Sequence, residues 1–357
     1  VAGLNKQNFW NPLSTLSANP YWTINRNPNE NHRQRTILMT SVTYDLTSEI
    51  SVMARGSFDG SSSQREEKLY NDTYVRAPNG RYTVTQGNAT MWNGEVLVSY
   101  NREISRGWKF NVNAGSSSRV LRNTSLSSNT GLGLLVPNYF AMSNTLDGLT
   151  DFDPGSNYNI NSVYGFGTLS WKNAINLDVT GRNDWSSTLP VDNRSYFYPS
   201  VGANVILSDI VDMPSAISFM KVRSSWAKVG NSASPYMLFR TAAFRPGGRN
   251  GFVEVSGTLP NPKLVPEETK SIEAGLEMQF LQNRLGFDFT FYKTNTSNQL
   301  FTVALPIGSG ASQFYTNGGD VRNSGVEIQL TTKPIRTKNL TWDVNVNWNL
   351  NRSMVLM

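Results

Sequence analysis

A single histidine, His32, stands in the polar stretch 29–35, and any imidazole-based catalytic centre would have to use it. No Gly-x-Ser-x-Gly elbow accompanies it. Cysteine is absent, which removes thiolate nucleophiles, disulfides and Cys-based metal or redox sites together. Glu267 and Glu268 could form an acid/base couple, but adjacent residues on an extended chain point to opposite faces. Asp147, Asp151 and Asp153 offer the hard oxygen ligands that calcium takes. Their spacing departs from the EF-hand pattern, and Asp-Gly and Asp-Pro are also ordinary turn chemistry. Gly131-Leu-Gly133 lacks the third glycine and the following helix of a nucleotide loop. The reading is a non-enzyme without a cofactor. What remains is aromatic. Trp10, Tyr21, Trp22, Tyr139, Phe140, Tyr236, Phe239, Phe314 and Tyr315 fall in connecting segments, where rings stack on sugars, pack against bound peptide, or pack the loops together.

The elements that must carry these residues announce themselves by strict alternation. Leu340, Trp342, Val344, Val346, Trp348 and Leu350 share one face, opposite Thr341, Asp343, Asn345, Asn347 and Asn349. Ile272, Ala274, Leu276, Met278 and Phe280 oppose Ser271, Glu273, Glu277 and Gln279, and Ile175, Leu177 and Val179 oppose Asn176, Asp178, Thr180 and Arg182. A helical period fits none of these windows. Alternation gives about twelve strands, near residues 36–46, 50–58, 91–103, 108–118, 162–172, 175–184, 198–207, 218–229, 269–281, 285–295, 321–333 and 340–351.

Connector length adds a second regularity. Turns at 47–49, 105–107, 172–174 and 282–284 are very short, with 334–339 and 208–216 a little longer, whereas 59–90, 119–160, 231–268 and 296–320 are long. Short and long largely alternate. That is the signature of an antiparallel up-and-down barrel in the outer membrane, with tight periplasmic turns and large extracellular loops. Hydrophobic residues are only 38% of the chain and no apolar run reaches the length of a spanning helix. A barrel tolerates this composition, because only every second residue meets lipid. Tyr44, Trp108, Trp171, Phe280 and Trp342 lie beside short turns, as an interfacial aromatic girdle requires, though β-propensity alone also favours these residues in strands. The net charge of +6 comes from scattered Lys and Arg, so no nucleic-acid partner is expected. An open edge in lipid leaves unpaired peptide groups, so twelve strands require closure with strands from further sequence. The rival reading is a soluble all-β carbohydrate-binding or adhesin module. A passive porin or a siderophore-type receptor is a further alternative.

Several stretches resemble TonB-dependent transporters of the SusC/RagA-like family: Asn19-Pro-Tyr-Trp22, Gly181-Arg-Asn-Asp-Trp-Ser-Ser-Thr-Leu-Pro190, Tyr198-Pro-Ser-Val-Gly-Ala203, Lys221-Val-Arg-Ser-Ser-Trp-Ala-Lys-Val-Gly-Asn231, Leu264-Val-Pro-Glu-Glu-Thr-Lys270, Phe291-Tyr-Lys293 and Gly318-Gly-Asp-Val-Arg-Asn-Ser-Gly-Val-Glu327. The resemblance implies a barrel of about 22 strands, of which residues 1–357 would be a part lacking the plug domain, the TonB box and the last strands. Val1–Arg35 would be the tail of an extracellular loop. It also implies import of an oligosaccharide or peptide, a SusD-like surface lipoprotein as lid, coupling to the TonB complex through the plug, and a dimer of transporter–lipoprotein pairs. Gly181, Gly230 and Gly325 within these motifs are expected at strand ends or bends, and Glu267 and Glu268 where a loop re-enters a strand.

Overall fold

The computed structural model describes residue 7 and residues 19–74, 77–105, 107–145, 147–245, 249 and 251–356. One short helix, α1 (Pro20–Arg26), precedes seventeen strands. These are β1 (Asn29–Asp45), β2 (Ile50–Thr73), β3 (Ala77–Ser105), β4 (Trp108–Asn129), β5 (Leu149–Trp171), β6 (Ile175–Ser186), β7 (Ser195–Ile206), β8 (Ile217–Asn231), β9 (Ala242–Arg245), β10 (Phe252–Val255), β11 (Thr258–Leu259), β12 (Glu267–Phe280), β13 (Leu285–Ser297), β14 (Gln299–Ala304), β15 (Gln313–Gly318), β16 (Asp320–Arg336) and β17 (Thr341–Leu356). Twelve of them form one sheet in the order β1-β2-β3-β4-β5-β6-β7-β8-β12-β13-β16-β17, with β1 and β17 as its edges. Each of the twelve coincides with one of the strands expected from alternation, which overrun it by one residue at most. The remaining five form two small sheets, β10-β9 and β11-β15-β14, inside connections where the sequence showed only loop.

Three expectations are corrected. The connection at 59–90 is almost entirely strand, because β2 runs to Thr73 and β3 starts at Ala77; likewise β4 and β5 fill most of 119–160. A tilted membrane crossing needs roughly 9–11 residues, so much of these 22- to 29-residue strands stands outside the hydrocarbon. There neither face has to meet lipid, and alternation fades. The N-terminal segment is not simply loop: α1 and the start of β1 occupy it, and His32 is an exposed strand residue. Gly181 and Gly325 lie in mid-strand rather than at ends.

The chain divides into two compact units, residues 1–40, 56–93 and 120–157, and residues 41–55, 94–119 and 158–357. In the first, Asn19 caps α1 by accepting from the Tyr21 amide at 2.9 Å. Trp22 is buried and its indole donates to Thr73 Oγ1 at 2.9 Å. Gly80 (φ 70°) lets the chain pass beside Leu134 and the Leu69 carbonyl, where a Cβ would stand 2.9 Å from Leu134 Cδ1.

In the second unit two of the short turns are built from left-handed backbone: Lys172 and Asn173 (φ 52° and 57°) in one, Leu281, Gln282 and Asn283 (φ 54°, 58° and 64°) in the other. Positive φ suits the twist of tight hairpins, although L-residues other than glycine adopt it at a cost. Register then fixes every face. The row Ile175–Val205–Val222–Leu276–Phe289–Ile328–Trp348 crosses seven strands and is apolar throughout. One residue along each strand, the row Asn176–Asn204–Arg223–Gly275–Thr290–Glu327–Asn349 contains no apolar side chain. Successive strand residues face opposite ways, so the sheet has one greasy face and one polar face. No residue of the apolar row is buried among the described residues, and Trp348 is 51% exposed. A water-soluble module would have to cover that face with protein. Trp108, Trp342 and Tyr44 are exposed at the short-turn end, with Trp108 and Trp171 rings 6.2 Å apart.

Candidate functional site

The polar face is the surface able to handle a solute. Recesses on it are lined by Arg223, Asp288, Thr290, Glu327, Gln329 and Asn347, and beside them by Asp178, Asn204, Lys221 and Glu273. Its side chains are tied to each other across strands. Arg223 on β8 passes over Gly275 of β12 to make a bidentate pair with Asp288 of β13 (3.0 and 2.8 Å), and also donates to Thr290 at 2.6 Å. A Cβ at Gly275 would meet the guanidinium at 2.6 Å. Tyr164 on β5 does the same over Gly115 of β4, its hydroxyl donating to Glu95 of β3, which also pairs with Arg55 of β2. Tyr292 on β13 lies over Gly325 of β16 and donates to Asn351 of β17 at 3.2 Å. In all three cases a long polar side chain reaches past one strand because that strand carries glycine.

Arg182 extends the network. It packs over the Tyr164 ring at 5.3 Å, donates to Ser162 Oγ at 2.8 Å and pairs with Asp184 at 2.8 Å. Asp184 accepts from the Tyr198 hydroxyl as well. Sequence reading missed these ties. The available signal was a glycine within an otherwise polar row beside a long side chain.

At the loop end of the second unit, Leu264 is completely buried with Leu189 and Ala233, and Tyr196, Met237, Leu238, Leu300 and Tyr315 pack around them. Asn317 holds the strand entry there: its Oδ1 accepts from the Val265 amide, and its Nδ2 donates to the Val265 and Asn298 carbonyls, each at 2.9 Å. Glu267 and Glu268 do mark entry into β12 and have separate partners, the Leu300 amide for Glu267 and Lys228 with Lys270 for Glu268.

The sequence-selected aromatics separate into two groups. Tyr21 (79% exposed), Tyr139, Tyr236 and Phe239 reach solvent. Trp22 is buried, Phe140 packs between Tyr70 and Tyr82 with centroids 4.9 and 6.1 Å away, Tyr315 joins the Leu264 cluster, and Phe314 is half-buried. Trp10 lies outside the described residues. Of the calcium candidates, Asp151 and Asp153 sit in β5, and Asp153 accepts from the Gly155 amide at 2.8 Å.

Comparison with known proteins agrees with the two-faced sheet. The family described as TonB dependent receptor-like, beta-barrel matches residues 2–353. A TonB-dependent receptor of Formosa agariphila is 26% identical over 363 residues, covering 95% of this chain and 35% of that protein. The TonB-dependent receptor SusC of Bacteroides thetaiotaomicron is 29% identical over 201 residues, covering 52% of this chain and 20% of SusC. The chain thus spans about a third or less of the length of these curated relatives. Among solved structures, the RagAB peptide transporter superposes with a TM-score of 0.81 at 20% identity, over 95% of this chain and 38% of that one. The pyoverdine receptor FpvA of Pseudomonas aeruginosa superposes less well, at 0.56 and 13% identity over 92% of this chain and 45% of that one. The chain belongs to the TonB-dependent receptor family, and its sheet is a section of an outer-membrane β-barrel of the SusC-like kind.

Proposed function

We propose that this wall serves active import of a large nutrient, an oligosaccharide or a peptide, through a barrel coupled to TonB and capped by a SusD-like lipoprotein. Two transporter–lipoprotein pairs would work together. The observation that carries the reading is the polar row from Asn176 to Asn349, back to back with an apolar row over the same seven strands. Asn, Thr, Glu and Arg side chains keep donors and acceptors turned toward a hydrated passage, which suits hydroxyl- or amide-rich solutes. No bond of the substrate is broken. The wall lines the path and the loops select what enters it.

Tyr21, Tyr139, Tyr236 and Phe239 are the solvent-exposed rings, and on this reading they stack on a sugar or lie along a peptide. Trp22, Phe140 and Tyr315 serve loop packing instead. The test uses the full-length transporter in its own cell, following uptake of labelled oligosaccharides and peptides with and without an intact TonB system and the neighbouring lipoprotein. Uptake of one class that is lost with either partner supports the reading. Uptake indifferent to TonB overturns it in favour of passive passage. The triple substitution Tyr139→Ala, Tyr236→Ala and Phe239→Ala is expected to lower uptake at limiting substrate while leaving barrel folding intact.

A further inference from the structure

Above the apolar band, the outward face changes character abruptly. Following the register one step from the row containing Phe291, the next outward row reads Trp226–Ile272–Lys293–Ser324–Arg352, and the one beyond it Lys228–Lys270–Asn295–Arg322–Met354. Five cations from five adjacent strands thus lie in two neighbouring rows on the same face as Leu276, Phe289 and Ile328. They sit at the end of the strands remote from the short turns, which is the extracellular side of the barrel.

This arrangement opposes itself electrostatically. Lys228 and Lys270 are direct cross-strand partners, and like charges in that position repel. Glu268 pairs with both, and Asp320 lies one further step up β16. Arg322 donates to the neutral Asn295 at 2.9 Å. Lys293 and Arg352 have no carboxylate within ion-pair distance among the described residues, and Arg352 is exposed. The strands β7 and β6 to one side continue the first row with Val201 and Val179 and carry Pro199 and Gly181 one outward step further, none of them a cation. The positive charge is therefore local to five strands, roughly 20 Å of wall at about 4.8 Å per strand.

We propose that this belt is a binding site for the phosphate-bearing headgroup of an outer-leaflet lipid, with acyl chains lying on the apolar rows below. Phosphate oxygens accept from ammonium and guanidinium groups in charge-assisted bonds. The Trp226 ring at the same level suits the headgroup boundary. Lysines that merely reach toward water at a membrane surface would show no preference for phosphate, and this separates the two readings. The inference does not depend on what the barrel imports.

The test is native mass spectrometry on the full-length transporter in non-ionic detergent, stripped of lipid and offered bis-phosphorylated lipid A or its dephosphorylated form. The phosphorylated lipid is expected to be retained preferentially. At about fivefold per cation, the double variant Lys293→Gln/Arg352→Gln should lose about 25-fold in retention. Arg284→Gln, at a short turn, should change nothing. Heat-modifiable migration on gels verifies that each variant is folded. Equal retention of the two lipids, or a double variant that binds like the parent, overturns the proposal.

Discussion

Leu264 and Leu350 are the same residue in opposite circumstances. Leu264, in the connection before β12, is sealed by protein; Leu350, on the outward face of β17, is 58% exposed. The difference lies in the solvent each region meets. At the loop ends the surroundings are aqueous, so apolar side chains must bury against each other, as Leu189, Ala233 and Leu264 do. On the outward face the surroundings are hydrocarbon, so an uncovered apolar row is already solvated. An apolar patch of that size on a water-soluble protein would be a liability. Here it is the wall's contact with the bilayer.

Four measurements would break or sharpen this contrast. Leu264→Ala should cost about 2–5 kcal/mol through lost burial and a residual cavity, read as loss of loop-end protection in hydrogen exchange, while Leu350→Ala in lipid should cost far less. Equal costs would mean that the two leucines share one environment. Phe289→Arg, near the middle of the apolar band, should destabilise the barrel by about 2–4 kcal/mol in urea refolding into vesicles, whereas Gln329→Arg on the polar face should be tolerated. Asn317→Ala leaves the Val265 amide and carbonyl without their partners, a loss of about 1–3 kcal/mol expected to appear as protease sensitivity around 261–266.

The smallest effect concerns pH, outside the membrane. Glu66 on β2 accepts from Gln64 Nε2 and the Tyr82 hydroxyl, each at 3.0 Å, and these bonds hold its carboxyl below the ordinary range. A carboxyl depressed on folding contributes stability that is present above its unfolded value and lost as pH falls through the folded one. Protection of the amides in 64–70, relative to their intrinsic exchange rates, should therefore fall below about pH 4, and Glu66→Gln should flatten that dependence.

The legibility of the sequence follows the same division. Where a strand separates lipid from lumen, neighbouring residues see different solvents, so segments such as Leu340–Leu350 and Ser271–Phe280 display their faces directly. Higher up, the run Ser61–Glu67 is polar on both sides and reads as loop although it is strand. The small sheets β10-β9 and β11-β15-β14 have too few residues to show a period. Leu264 has no pattern around it that marks it as a core residue. Among the candidate aromatics, sequence located the rings but not their exposure, because burial of Trp22 depends on Thr73, fifty-one residues away. The glycines at 115, 275 and 325 matter for what passes above them, which only the register reveals.

Those three crossings have a mechanical meaning. Neighbouring strands are laced by their peptide groups, but Arg223, Tyr164 and Tyr292 each anchor strands that are next-but-one in the sheet. A pull applied to a single hairpin is thereby shared with a third strand. Under force spectroscopy this wall should give way three strands at a time where the notches occur, and two at a time where they do not.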